Sequence, residues 1–148
     1  GYQQVLWLFG EDHQVCEIGA MNMFFVLKTK DGQTEVVTPP LTRGDILPGV
    51  TRRSILELAR DTGKYVVSER AITMSEVREA WTEGRLLEAF GAGTAAIISP
   101  VNCIAYEGVD MDIPTGESIG PVSESFWRML CDIQYGIKEH PWSIKVPH

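Results

Sequence analysis

Residues 15–27 constrain this chain more than any other segment. They read VCEIGAMNMFFVL, a run crowded with aromatic and branched side chains and broken once, near Gly19, by glycine. Such a run is too apolar to lie on a surface and too irregular for one amphipathic helix face. It predicts a strand, or two strands broken near Gly19. Its longest uncharged part, residues 18–27, ends at Lys28. A bilayer span needs roughly 18–20 apolar residues, so the run is not a membrane segment.

The flanking elements follow from local signals. Residues 5–9 (VLWLF) read as a buried strand and residues 10–13 as a polar turn. Residues 30–33 (KDGQ) signal a hairpin whose returning strand covers 35–38. A loop spans 39–48, with prolines at both ends. A helix is predicted over 51–61, with Ile55, Leu58 and Ala59 at helical spacing and Gly63 stopping it. A strand over 65–70 precedes a helix over 74–83, opened by the Thr73/Glu76 capping-box pattern and ended by Gly84. Strands are then expected over 95–101, 104–106 and 109–113. The last helix runs over 122–134, with Val122, Phe126, Met129, Leu130 and Ile133 inward and Gly136 as its C-terminal cap. The strands are not regularly interleaved with helices. The expected class is therefore α/β of the α+β type: a mixed, largely antiparallel sheet or pseudo-barrel with flanking helices, and not a Rossmann domain.

Three places carry residues suited to chemistry. Glu17 is a carboxylate inside the apolar run, where its charge is costly unless it meets a cation or several donors. A protonated ring nitrogen is one such partner; a strand whose alternate face touches solvent is the other reading. In Leu47-Pro48-Gly49-Val50-Thr51-Arg52 a Pro-Gly turn leads into a helix. Free N–H groups and the positive end of the helix dipole can hold a phosphate there, with Gly49 permitting close approach and Thr51 adding a hydroxyl. In the plainer reading Thr51 caps the helix and Arg52 and Arg53 face water. In Phe90-Gly91-Ala92-Gly93-Thr94-Ala95-Ala96 a small-residue loop can turn its N–H groups onto an anion, or simply make a tight turn. Together the three would suit a ligand with a phosphate at one end and a cationic ring nitrogen at the other, as in pyridoxal 5'-phosphate (PLP).

Composition narrows the partners. The 148 residues carry a net charge of −7, which argues against nucleic acid because phosphate-backbone binding needs a basic face. The three cysteines, Cys16, Cys103 and Cys131, show neither a disulfide framework nor zinc-ligand spacing, so no metal is expected and a reducing compartment is the plain inference. The chain opens without an initiator Met, signal peptide or polar lead-in, which reads as a cut chain.

At these residues the chain resembles the branched-chain amino acid aminotransferases. The resemblance is carried by Gly1-Tyr2-Gln3-Gln4-Val5-Leu6-Trp7-Leu8, Glu17-Ile18-Gly19-Ala20-Met21-Asn22, Leu47-Pro48-Gly49-Val50-Thr51-Arg52, Gly93-Thr94-Ala95 and Asp132-Ile133-Gln134-Tyr135-Gly136, in family order and closer to the eukaryotic-type members. It implies fold-type IV of the PLP enzymes, with residues 1–148 forming the C-terminal part of the large domain and the small N-terminal domain absent. By the same resemblance, Glu17 would pair with the pyridine nitrogen and keep it protonated. The N–H groups of Val50 and Thr51 would hold the phosphate, helped by the Thr94 hydroxyl and by the space left at Gly49. The backbone of Thr94 and Ala95 would take the substrate carboxylate, and Ala20, Met21 and Ala95 would border the substrate side chain. The implied reaction moves the amino group of leucine, isoleucine or valine to PLP and on to 2-oxoglutarate, giving a branched-chain 2-oxo acid and glutamate, in a homodimer of either cytosol or mitochondrion.

The resemblance also marks departures. The family's Schiff-base lysine is expected upstream of Gly1; Lys28, Lys30, Lys64, Lys138 and Lys145 stand outside its motif and read as surface residues, so the segment alone is expected to be inactive. Ala20 stands where many members have threonine. Ala96 and Ser99 stand where vertebrate members have a Cys-x-x-Cys pair, so thiol switching is not expected there. D-amino acid transamination and aminodeoxychorismate lysis are the alternative reactions on this fold. A short form that only binds PLP, phosphate or a partner subunit is the non-catalytic alternative.

Overall fold

In the computed structural model, which describes residues 1–144, 146 and 147, the apolar run becomes the hinge of the architecture. It divides into β2 (Gln14–Ile18) and β3 (Met21–Lys28) across a turn at Gly19, whose φ of +54° suits glycine. Six consecutive residues of β3 are buried, because its two faces serve two cores. Met23, Phe25 and Leu27 face one, with Ile72, Met74, Val77, Ala80 and Leu86. Phe24 and Val26 face the other, with Ile55, Leu58, Ala59, Phe90 and Phe126. Phe24 and Phe90 stack at 5.1 Å between centroids.

One edge of β3 pairs antiparallel with β6 (Leu86–Ala92) over most of its length, from Asn22↔Ala92 to Leu27↔Leu86. The other edge is shared. Its start pairs with β2 (Glu17↔Asn22), and its end with β4 (Thr34–Thr38), through Phe25↔Val37 to Lys28↔Thr34. Where β2 and β4 part, the buried Thr38 hydroxyl donates to the Met23 carbonyl at 2.7 Å, satisfying an acceptor the ladder leaves open. β1 (Leu6–Phe9) pairs with β2, β5 (Val66–Glu69) runs parallel to β4, and β7 (Ile98–Pro100) pairs with β6. A separate hairpin joins β8 (Cys103–Tyr106) and β9 (Val109–Asp112). The sheet is thus mixed and largely antiparallel, as the sequence predicts.

Three helices flank it: α1 (Val50–Thr62), α2 (Met74–Thr82) and α3 (Pro121–Gln134). Gly63 closes α1 in the left-handed region. Thr73 caps α2 by accepting from the Glu76 N–H at 3.2 Å, while the Glu76 carboxylate turns to Arg70 at 2.7 Å. α3 starts on a side chain from another element: Glu88 of β6 accepts from the N–H groups of Val122 and Ser123, each at 2.9 Å, and from the Ser123 hydroxyl at 2.6 Å. Among the described residues no helix is long and apolar enough to cross a membrane.

Three expectations change. Residues 5–9 are not a buried strand: β1 lies at the sheet edge, with Trp7 55% and Phe9 52% exposed and only Leu6 and Leu8 turned inward. The strand expected over 95–101 shrinks to Ile98–Pro100, since residues 94–96 lie in an exposed loop. The main strand beside β3 is β6, which the sequence reading did not assign, because LLEAFGA lacks β-branched residues and carries a buried glutamate. Lys28, Lys30, Lys64 and Lys138 are exposed as expected; Lys145 lies outside the described residues.

Candidate functional site

β2 pairs with the start of β3 and β4 with its end, and the 39–48 loop that follows β4 returns to β2 and to the start of β3. Two sets of contacts hold the loop. Arg43 pairs with Asp45 at 2.8 Å, donates to the Cys16 sulfur at 3.2 Å and lies 4.2 Å over the Phe9 ring. Burial pushes the Cys16 thiol up despite the neighbouring Arg43, while the Arg43 hydrogen bond holds the Asp45 carboxyl below its usual range. At the end of the loop both peptide groups of Leu47 are taken: its N–H donates to Glu17 Oε1 at 2.8 Å, and its carbonyl accepts from Asn22 Nδ2 at 2.8 Å.

Glu17 is therefore half-buried and anchored through one oxygen by a backbone donor. Among the described residues no lysine, arginine or histidine forms an ion pair with it, which leaves Oε2 for another donor. Leu47 leads through Pro48 into α1, whose N-cap is Gly49. The sequence reading in which Thr51 caps this helix is not what the fold does. No side chain caps α1 and no acidic residue occupies its first turn, so the N–H groups of Val50 and Thr51 keep their pull on an anion. Gly49 is required by proximity: a Cβ there would lie 2.3 Å from Asn22 Oδ1. Nor does Arg52 face water. It is 3% exposed, donates to the Pro39 carbonyl at 3.0 Å and pairs with Glu69 at 2.8 Å. Glu69 also takes Arg60 at 3.1 Å, so α1 is tied to β5 at two points.

The third segment joins from β6. The Thr51 hydroxyl donates to the Gly93 carbonyl at 3.2 Å. Met21 packs against Gly91 and Gly93, where an added Cβ would come within 3.0 and 2.9 Å of its side chain. Beyond Gly93 the residues Thr94 and Ala95 are exposed, and so is Ala20 at the β2–β3 turn. Glu17, the 49–51 turn and Gly93 thus converge, with Met21 on the glycine side and Thr94 and Ala95 following at the rim. A cleft of about 620 Å³ adjoins α1, lined by Val50, Arg53, Ser54, Leu130, Ile133 and Trp142 among others. The sequence reading missed Asn22 as the tie between segments, although an amide between Met21 and Met23 in an apolar strand was the available signal.

A carboxylate acceptor with a spare oxygen, the open N–H donors of an uncapped 13-residue helix and a small-residue loop together fit a phosphorylated, cationic ring such as PLP. The fold is that of the class IV amino-transferases: the family's pattern matches residues 1–104, and the chain belongs to that family. Within it, the chain is 50% identical over 145 residues to a branched-chain-amino-acid aminotransferase of Monosiga brevicollis, 97% of this chain and 37% of that protein. It is 48% identical to the mitochondrial form of Rattus norvegicus and 47% to the cytosolic form of Mus musculus, covering 99% of this chain and 37% and 38% of theirs. It therefore spans a little over a third of the length of these relatives. Among solved structures, the branched-chain amino acid aminotransferase of Escherichia coli superposes with a TM-score of 0.70 at 32% identity, over 97% of this chain and 42% of that one. The PLP-form of the Thermobaculum terrenum enzyme does so with a TM-score of 0.73 at 28% identity, over 93% and 39%.

Proposed function

We propose that this chain forms the cofactor and substrate face of a PLP-dependent branched-chain amino acid transaminase, within the large domain of a longer protein that acts as a homodimer. The observation that supports this most is the two-sided hold on Leu47, by Glu17 at its N–H and by Asn22 at its carbonyl. It draws a carboxylate to the entry of an uncapped helix.

In this reading Glu17 accepts a proton-bearing ring nitrogen on its free oxygen. The Val50 and Thr51 N–H groups bind the phosphate, with the bare Gly49 allowing approach and Thr94 adding a hydroxyl. The Thr94–Ala95 backbone receives the substrate carboxylate, and Ala20 and Met21 border its side chain. When bound, PLP supplies an electron sink for removal of the α-proton. Glu17 holds the ring nitrogen charged, the helix orients the ring, and Met21 with the two glycines excludes water from one side of the pocket. The base that moves the α-proton is assigned to a lysine outside this segment, since Lys28, Lys30, Lys64 and Lys138 are exposed and stand outside the segments that carry the proposed ligand contacts.

The test is an amino-transfer assay on the full-length protein with leucine, isoleucine and valine against 2-oxoglutarate, alongside D-alanine and aminodeoxychorismate. Glutamate formation from the three branched-chain substrates, with a borohydride-fixed PLP adduct by mass spectrometry, is the expected result. Turnover of D-alanine or aminodeoxychorismate alone would assign a different reaction to the same fold.

A further inference from the structure

We propose that Asn22 is a positioning residue that sets the 47–51 turn against Glu17; its consequence for the cofactor rests on the function proposed above. Asn22 is 5% exposed in the strand that carries both cores. A buried amide is costly there unless it is hydrogen-bonded, and a branched apolar residue would serve β3 better. Its use is therefore specific. Across the sheet Asn22 stands opposite Glu17 on β2 and Ala92 on β6, so the three side chains share a face. Nδ2 donates to the Leu47 carbonyl at 2.8 Å, while Glu17 accepts from the N–H of the same residue at 2.8 Å. Its Oδ1 occupies the space that any side chain at position 49 would need.

Leu47 is in consequence fixed in two directions by neighbours on adjacent strands. Without Asn22, the Leu47 carbonyl would keep only the Gly49 N–H of its own turn, at 2.8 Å, and Leu47, tied to the sheet by its N–H alone, could pivot about that contact. The pivot would move Gly49, Val50 and Thr51, and with them the open N–H groups of α1, relative to the Glu17 carboxylate. One amide thereby couples the distance between the two ends of the proposed ligand site.

Amide hydrogen exchange on the cofactor-free full-length protein reads this without any ligand. Asn22→Ala and the nearly isosteric Asn22→Asp both remove the donor. Gly49→Ala disturbs the same contact from the turn and leaves β3 intact, so it serves where a buried substitution prevents folding. Thr38→Val is the control: it removes another buried hydrogen bond to β3, at Met23, without touching Leu47. Exchange at Leu47 and at position 49, whose N–H groups are bonded to Glu17 and to the Leu47 carbonyl, should quicken at least tenfold in the Asn22 and Gly49 variants and stay within twofold in Thr38→Val. With PLP added, the phosphorus NMR resonance and the pH midpoint of the visible absorption should shift in the first group only. Unchanged exchange in a folded Asn22 or Gly49 variant overturns the inference, and so does equal quickening in Thr38→Val, which would mark general loosening. A wild-type protein that takes up no PLP defeats the proposed function, and the exchange result still decides Asn22.

Discussion

The hydroxyl of Thr51 donates to the carbonyl oxygen of Gly93 at 3.2 Å, joining the first turn of α1 to the end of β6. The two residues are 42 positions apart in sequence, yet each belongs to a segment suited on its own to holding an anion. Thr51→Val keeps the shape and removes the bond. A net hydrogen bond contributes about 0.5–1.5 kcal/mol, and 1.4 kcal/mol corresponds to about tenfold in an equilibrium constant. PLP titration of the cofactor-free full-length protein should therefore show affinity weakened by about two- to tenfold in Thr51→Val and retained in Thr51→Ser. Equal affinities in the two variants would mean that the joint does not shape the cradle.

Glu17→Gln separates charge from geometry. Glutamine keeps an oxygen for the Leu47 N–H, so the turn should stay in place. It cannot hold the ring nitrogen charged. Interactions with a charged partner contribute about 1.5–3 kcal/mol, and each 1.36 kcal/mol of barrier is about tenfold in rate. Turnover of the full-length enzyme should fall at least about tenfold, while PLP affinity changes by less than about threefold. A variant with wild-type turnover would remove Glu17 from the mechanism.

The sequence made the three chemical segments legible because each is a local signal: a lone carboxylate in a strand, a Pro-Gly entry to a helix, a run of small residues. It also predicts α1, α2 and α3 within a residue or two, since caps and helical spacing are local as well. What ties the segments together is not local. Arg52 reads as a surface cation until the fold puts Glu69 and the Pro39 carbonyl beside it. β6 has weak strand propensity and is held as a strand by stacking of Phe90 on Phe24 and by its ladder to β3. Its buried Glu88 argues against a core strand until the start of α3 is seen to supply the donors.

Acid should unfold the protein through two ion-paired carboxylates, the buried Glu35 and the more exposed Glu69. Burial alone would raise Glu35, but hydrogen bonds from Arg70 and Ser68 and the Arg70 charge outweigh it and hold the carboxyl below its usual value. Glu69 is likewise raised by burial and lowered further by Arg60 and Arg52. A carboxyl whose folded value is depressed contributes stability that is complete above its unfolded pKa, about 4.3 for glutamate, and is lost as pH falls through the folded value. Melting temperature should be insensitive to these groups above about pH 5 and fall below about pH 4. The double variant Glu35→Gln, Glu69→Gln should be less stable at neutral pH and show a shallower acid slope. An unchanged slope in thermal melts would assign the acid transition to other groups.

Glu88 links the helix layer to the strand that ends at the candidate site. Its carboxylate takes two N–H groups and a hydroxyl at the start of α3, in a spot that Gly120 keeps clear; a Cβ at 120 would lie 2.1 Å from Glu88 Oε1. Glu88→Leu would leave those donors buried and unpaired, each costing about 1–3 kcal/mol, for a total of about 3 kcal/mol or more. At about 2–4 °C per kcal/mol for a chain of this size, the melting temperature should drop by about 6–12 °C. Glu88→Gln should drop it less, because one oxygen remains to accept. The effect should reach the 93–95 loop, because Phe126 of α3 packs against Phe90 of β6 at 6.5 Å between centroids. Exchange at residues 121–124 should then quicken together with exchange at 91–95. Quickening at α3 alone would show that the helix is anchored by Glu88 but does not brace the strand beside the site.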